Sequence, residues 1–199
     1  MIAADVHRQF GRFGWARAAK LYLRDPGFRP IVTLRLYHGT RDTRPGRLIR
    51  PLLWLCHRQA SRQAGRDLPI RTQVRPGLLI AHSIGIVVNA AVRIGRNVTL
   101  FHGVTLGRGD RIHPDGTRTS GFPVIGDDVF LGPHAVVAGD VRIGAGSRIL
   151  AGAVVVKDVP PRSVVAGNPA TIIRTDCEPD VGNRVPFDDA DGDACNQPA

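Results

Sequence analysis

From Val88 to Val159 the chain places an aliphatic residue at every sixth position, with one interruption. The series runs Val88, Ile94, Leu100, Leu106 and, after a gap, Ile125, Leu131, Val137, Ile143, Ile149 and Val155. Four residues after most of these stands a second small or β-branched residue, as at Val92, Val98, Val104, Val129, Ala135, Ser147 and Val159. A period of six fits neither a helix, at ~3.6, nor a single strand, at ~2. It fits a chain that turns a corner every six residues, three corners to a coil, and such repeats build parallel β-helices. Leu68, Val74 and Ile80 keep the same step upstream, but Val88 follows Ile80 by eight. Two extra residues therefore break the register beside His82. Insertions in a repeat emerge as bulges or loops, where chemistry often collects.

The organisation follows from this register. Residues 1–66 read as an α-helical N-terminal region, broken at Asp25-Pro26-Gly27, with a last helix through Leu48 to Gln63 ended by Gly65. Residues 67–174 are the coil domain, closed by Pro160-Pro161 and a strand-like cap over Val164–Ile173. Within it, 108–121 hold no core pattern and form an excursion loop. The acidic tail, 175–199, is expected to be disordered.

Composition narrows the function classes. The chain has 199 residues, 43% hydrophobic but only 6% aromatic, so the core is Val, Ile, Leu and Ala. No apolar run reaches the roughly 18 residues of a membrane span, and no signal-peptide pattern follows Met1. A cytoplasmic protein without an integral membrane segment is expected. The formal net charge is +10, and residues 1–66 carry thirteen Arg and one Lys against Asp5, Asp25 and Asp42. No nucleic-acid-binding motif accompanies that charge, so no nucleic-acid partner is expected. Cys56, Cys177 and Cys195 have neither metal nor redox spacing.

The segments His82-Ser83-Ile84-Gly85-Ile86-Val87-Val88, Val104-Thr105-Leu106-Gly107 and Asp158-Val159-Pro160-Pro161 carry a recognisable pattern, continued by Ala166-Gly167-Asn168-Pro169-Ala170. Together they resemble the serine acetyltransferase branch of the left-handed β-helix acyltransferases. The resemblance covers about residues 67–174, with a weaker match at Arg24-Asp25-Pro26. It implies a mainly β, left-handed parallel β-helix, and an acetyl-CoA-dependent O-acetyltransferase. It also implies active sites between subunits. The N-terminal part is shorter than the helical domain that joins the family's trimers into hexamers, so a homotrimer is expected, and no metal is expected. His82 falls on the family's catalytic general base and Asp67, fifteen residues earlier, on the aspartate that orients it. The chemistry asks for such a pair. A hydroxyl is a poor nucleophile at neutral pH, and an imidazole of ordinary pKa near ~6.5 can take its proton. A carboxylate on the other ring nitrogen fixes the tautomer and stabilises the imidazolium.

The acceptor side departs from the family. Ala81 stands where the family has a second aspartate, and Gly121 and Phe122 stand where it has an arginine and a second active-site histidine. Those residues hold the charged groups of serine. Their loss points to a hydroxyl on a sugar, a polysaccharide precursor or another small metabolite, with serine itself the alternative. Asp25 keeps the remaining family aspartate. Arg111 and His113 offer displaced replacements from the longer loop. His102, twenty residues after His82, is one coil plus the insertion away and is a further acceptor-site candidate, whereas His134 reads as a surface corner residue. For the acetyl-CoA donor, the small residues Gly107, Gly132, Ala151 and Gly152 offer close approach at coil corners, with Pro133 a doubtful contact. Lys157 and Arg174 are candidates for its phosphates. Two other classes share such a solenoid. A γ-carbonic-anhydrase-like zinc enzyme needs three convergent histidines, for which His82, His102 and His113 are the candidates, and a structural solenoid needs no site at all.

Overall fold

The computed structural model describes residues 1–41 and 43–187. Four helices come first: α1 (Ile2–Phe10), α2 (Trp15–Arg24), α3 (Arg29–Gly39) and α4 (Arg44–Gln63). Gly11 ends α1 at φ 70, a left-handed cap that costs glycine little. Thr43 caps α4 by accepting from Gly46 N at 3.2 Å. Asp25-Pro26-Gly27 separates α2 from α3, as the sequence indicates.

The coils then stack. The first carries β1 (Gln73–Val74), β2 (Leu79–Ala81) and β3 (Val87–Val88), and the second β4 (Arg93–Ile94), β5 (Thr99–Phe101) and β6 (Thr105–Gly107). A hairpin, β7 (Gly109–Ile112) and β8 (Arg118–Gly121), interrupts them. The third coil carries β9 (Val124–Ile125), β10 (Phe130–Leu131) and β11 (Val136–Ala138), and the fourth β12 (Arg142–Ile143), β13 (Arg148–Ile149) and β14 (Val154–Val155). β15 (Val164–Gly167) and the antiparallel β16 (Ala170–Arg174) finish the stack.

Each side of the triangle is a parallel sheet. The first face is β1-β4-β9-β12, the second β2-β5-β10-β13-β15 closed by β16, and the third β3-β6-β11-β14. The six-residue register appears as side chains stacked from coil to coil. Val74, Ile94, Ile125 and Ile143 lie in register on the first face. Ile80, Leu100, Leu131, Ile149 and Val165 do so on the second, and Val88, Leu106, Val137 and Val155 on the third. None of these thirteen is more than 8% exposed. Burying each contributes about 1.5–3 kcal/mol, so a period-six sequence is stable only when wound with these residues inward.

Buried charges hold the helices to the coils. Asp5 of α1 accepts from Gly77 N and Leu78 N, each at 2.9 Å, and pairs with Arg35 of α3 at 2.8 and 3.0 Å. Arg35 also donates to the carbonyls of Val74 and Arg75. His57 of α4 lies 2.6 Å from Leu68 O, and burial pushes its pKa below the ordinary histidine value.

Two segments differ from the sequence reading. The excursion 108–121 is an antiparallel hairpin rather than an irregular loop. Most of its residues are exposed, so it has no buried face to leave a hydrophobic alternation. Residues 175–187, whose acidic composition suggested disorder, include a strap laid back along the molecule. Arg184 pairs with Asp128 at 2.6 Å, Val185 N donates to Asn97 Oδ1, and Asn183 and Gly182 bond Arg8. The remainder of that expectation, 188–199 with Cys195, lies outside the described residues.

Candidate active site

The edge between the second and third faces gathers the chemistry. Its corners are aligned by ladder bonds: Gly85 N to Gly65 O, Gly103 N to Ile84 O, His134 N to His102 O and Gly152 N to Pro133 O, at 2.8–3.0 Å. In this register Ile84 takes the place that His102 occupies one layer up. His82 and Ser83 are therefore the two inserted residues. The insertion leaves His82 exposed just after β2 at φ 58, left-handed backbone that non-glycine residues adopt at a cost of order 1 kcal/mol.

The His82 ring lies against the second coil, 6.4 Å from the Phe101 ring and 6.1 Å from that of His102. His134, also left-handed at φ 57, brings its ring to 5.0 Å from His102. Three imidazoles thus run up one edge. His102 Nδ1 is buried with no hydrogen-bond partner, a condition that costs about 1–3 kcal/mol until something fills it. The structure brings His102 to His82 as the spacing suggests. His134, read as a surface corner residue, is exposed at a corner and also stands in the same row. Nothing in the sequence marks it, because the hairpin between their coils hides the repeat distance.

Asp67 sits in bridge register with Val87, one layer below the kink, and Asp67 N donates to Ile86 O at 2.8 Å. Its side chain is exposed, and no hydrogen bond joins it to His82. Asp25 accepts from Gly27 N at 2.8 Å, and a Cβ on Gly27 would fall 3.1 Å from Ser83 Oγ. The Asp25–Gly27 turn therefore packs directly on the inserted residues. Beneath it, Arg66 is buried and donates to Gly27 O, while its Nε and Nη1 lack partners. Burial lowers the Arg66 pKa to about 10, partly offset by Asp25. Arg66 is a site residue that sequence reasoning missed. Among thirteen N-terminal arginines nothing distinguishes it.

Arg111 and His113 lie elsewhere within this chain. They line a cavity with Gly139, Asp140 and Val156, and His113 Nε2 is 2.8 Å from Thr119 Oγ1 of its own hairpin. Among the described residues no three His, Cys, Asp or Glu side chains are grouped to hold a metal ion, and the trio His82, His102 and His113 is not assembled.

The donor candidates divide by geometry. Gly132, Ala151 and Gly152 continue the His82 edge upward. A Cβ on Gly152 would meet nothing within 4 Å, and one on Gly107 only Thr105 Cγ2 at 3.8 Å, so both backbones are open to a ligand. A Cβ on Gly132 would strike Ala151 N at 2.9 Å, so Gly132 is small for coil stacking. Lys157 follows β14, and Arg174 ends β16 over the second face; both are exposed.

A three-sided parallel coil stepped every six residues is the architecture of the hexapeptide-repeat transferases. Residues 122–157 match the family described as bacterial transferase hexapeptide (six repeats). The chain is 36% identical over 154 residues to serine acetyltransferase 2 of Arabidopsis thaliana, covering 72% of this chain and 45% of that protein. It is 40% identical over 131 residues to the serine acetyltransferase of Mycobacterium tuberculosis, covering 60% and 55%. Its fold is similar to soybean serine acetyltransferase complexed with serine, with TM-score 0.69, 31% identity and coverage of 86% of this chain and 68% of that one. The Neisseria gonorrhoeae serine acetyltransferase gives TM-score 0.70 at 30% identity, covering 89% and 66%. This chain belongs to the serine acetyltransferase-like family of left-handed β-helix, hexapeptide-repeat acyltransferases. It spans about half the length of the curated relatives it matches.

Proposed function

We propose that this protein is an acetyl-CoA-dependent O-acetyltransferase with His82 as general base and serine as the acceptor. The observation that carries the reading is the exposed, left-handed His82 at the foot of an edge whose upper corner, at Gly152, is open backbone. In the reaction His82 takes the acceptor hydroxyl's proton as that oxygen attacks the thioester carbonyl. The carbon–sulfur bond then breaks, and the imidazolium returns the proton to the departing thiolate. Asp67, one layer below, is assigned as the carboxylate that positions the ring, and His102 flanks the acceptor with its unpartnered Nδ1.

The relatives' names and the retained Asp25 turn against Ser83 support serine over the sugar-type acceptor that the substitutions suggest. Ala81, Gly121 and Phe122 favour the second reading, a hydroxyl compound without serine's two charges, since they remove charge partners from the acceptor side. A homotrimer accommodates both. In it a neighbour's hairpin carries Arg111 and His113 toward His82, which they do not reach within one chain. Lys157 and Arg174 are proposed to hold the donor's phosphates, and the cytoplasm is the compartment that supplies acetyl-CoA.

Thiol release from acetyl-CoA, measured against serine, homoserine and a panel of sugars, tests the acceptor. Serine is expected to give the highest kcat/KM, and a sugar exceeding it establishes the second reading. His82→Ala is expected to lower turnover by about 10²–10⁴. Unchanged turnover would remove His82 from the mechanism.

A further inference from the structure

Helix α4 carries its apolar stripe on the outside. Leu48, Leu52 and Leu55, at the four- and three-residue steps of one helix face, are 84%, 62% and 56% exposed. The side of the helix packed on the protein instead carries His57, Ala60 and Ser61, all buried. Helix α2 is open as well: none of its residues is buried, and Trp15 and Tyr22, seven apart on one face, are both exposed. The two helices share a surface, because Tyr22 lines a groove of about 510 Å³ together with Leu55 and Cys56. Isolated exposed leucines are ordinary, but a contiguous stripe of them beside aromatic rings marks an interaction surface.

Charge decides the partner. Arg44, Arg47, Arg58 and Arg62 stand exposed along α4, and Arg17, Lys20 and Arg24 belong to α2. Neither helix contains Asp or Glu. Across residues 1–66 thirteen Arg and one Lys stand against Asp5, Asp25 and Asp42, a net charge of +11. A two-fold pairing of this surface with a second copy would set these cations against their own copies. A basic helix with Leu and Trp on its apolar face fits the boundary of an anionic bilayer. The apolar side chains enter the acyl region, and the guanidinium groups stay at the phosphates. We infer that α2 and α4 form a surface that docks the protein reversibly on a lipid bilayer bearing anionic headgroups. The surface stands independently of the acetyl-transfer reading.

Sedimentation of the full-length chain with vesicles tests it, at about 0.15 M salt, with phosphatidylcholine alone and with about 30% phosphatidylglycerol added. Binding to the anionic vesicles and not to the neutral ones is expected. The chain's two tryptophans, Trp15 and Trp54, both lie in these helices, so their emission should shift to the blue on binding. Leu48→Glu/Leu52→Glu should weaken binding at least about tenfold. Ile172→Glu/Ile173→Glu, which adds the same charge at exposed positions on β16, should leave it within about twofold. Thermal melts confirm that both variants fold. Four results would overturn the surface: no binding to anionic vesicles, equal binding to neutral ones, equal effects of the two variants, or a larger assembly that Leu48→Glu/Leu52→Glu splits. The third would mean that the general positive field of the chain suffices. The fourth would mean that a second copy covers the face.

Discussion

Replacing Asp5 by alanine tests what holds the helices against the coils. The Asp5 carboxylate is fully buried and accepts four hydrogen bonds, from Gly77 N, Leu78 N, Arg35 Nε and Arg35 Nη2, at 2.8–3.0 Å. Its removal orphans two buried backbone donors and leaves the equally buried Arg35 with only carbonyl partners. Breaking one side of a buried pair costs about 3–5 kcal/mol, because the surviving charge stays desolvated. That is a large share of the 5–15 kcal/mol, roughly, that stabilises a typical domain. With a urea slope of about 2 kcal/mol per molar, the midpoint should fall by about 1.5–2.5 M. The double variant Asp5→Ala/Arg35→Met removes the stranded charge and should recover more than half of the loss. Urea unfolding followed by circular dichroism reads all three proteins. A midpoint shift under about 0.5 M for Asp5→Ala, or no recovery in the double variant, would refute the clamp.

Asp67→Asn should lower kcat less than His82→Ala; a fold loss seen by circular dichroism would make the residue structural instead. Gly152→Ala meets no steric obstacle, so it should cost only about 1 kcal/mol of left-handed strain while raising KM for acetyl-CoA with kcat kept. An unchanged KM would move the donor off this corner. His57 and His38 both have folded pKa values lowered by burial, so acid favours the unfolded chain, where the imidazoles protonate near ~6.5. Their stabilising effect is full above that value and is lost as pH falls below it. The urea midpoint should therefore drop between pH 7.5 and 5.5, and His57→Gln should flatten that slope; an unaltered slope would exclude His57 as a source.

The coils were legible because burial imposes the period. Each register residue occupies one place in a stack, so Ile80, Leu100, Leu131 and Ile149 announce their alignment though they lie far apart in sequence. The kink at His82 was legible for the same reason, as two residues that the register cannot absorb. The hairpin was not, since an exposed ribbon buries no face. Neither was the strap over residues 182–185, whose partners Arg8, Asn97 and Asp128 are polar and distant in the chain.

The amino-acid order alone determined that the chain winds into three-sided coils, where the winding is broken, and that a histidine sits at the break. These are local and periodic properties, and apolar burial writes them directly into spacing. The tertiary structure alone decided which polar groups meet. It placed His134 beside His102, Arg66 under the Asp25 turn, and Asp5 between Arg35 and the first coil. Such pairings carry no period. They depend on the short-range geometry of hydrogen bonds and charges, which exists only once the coils and helices have packed.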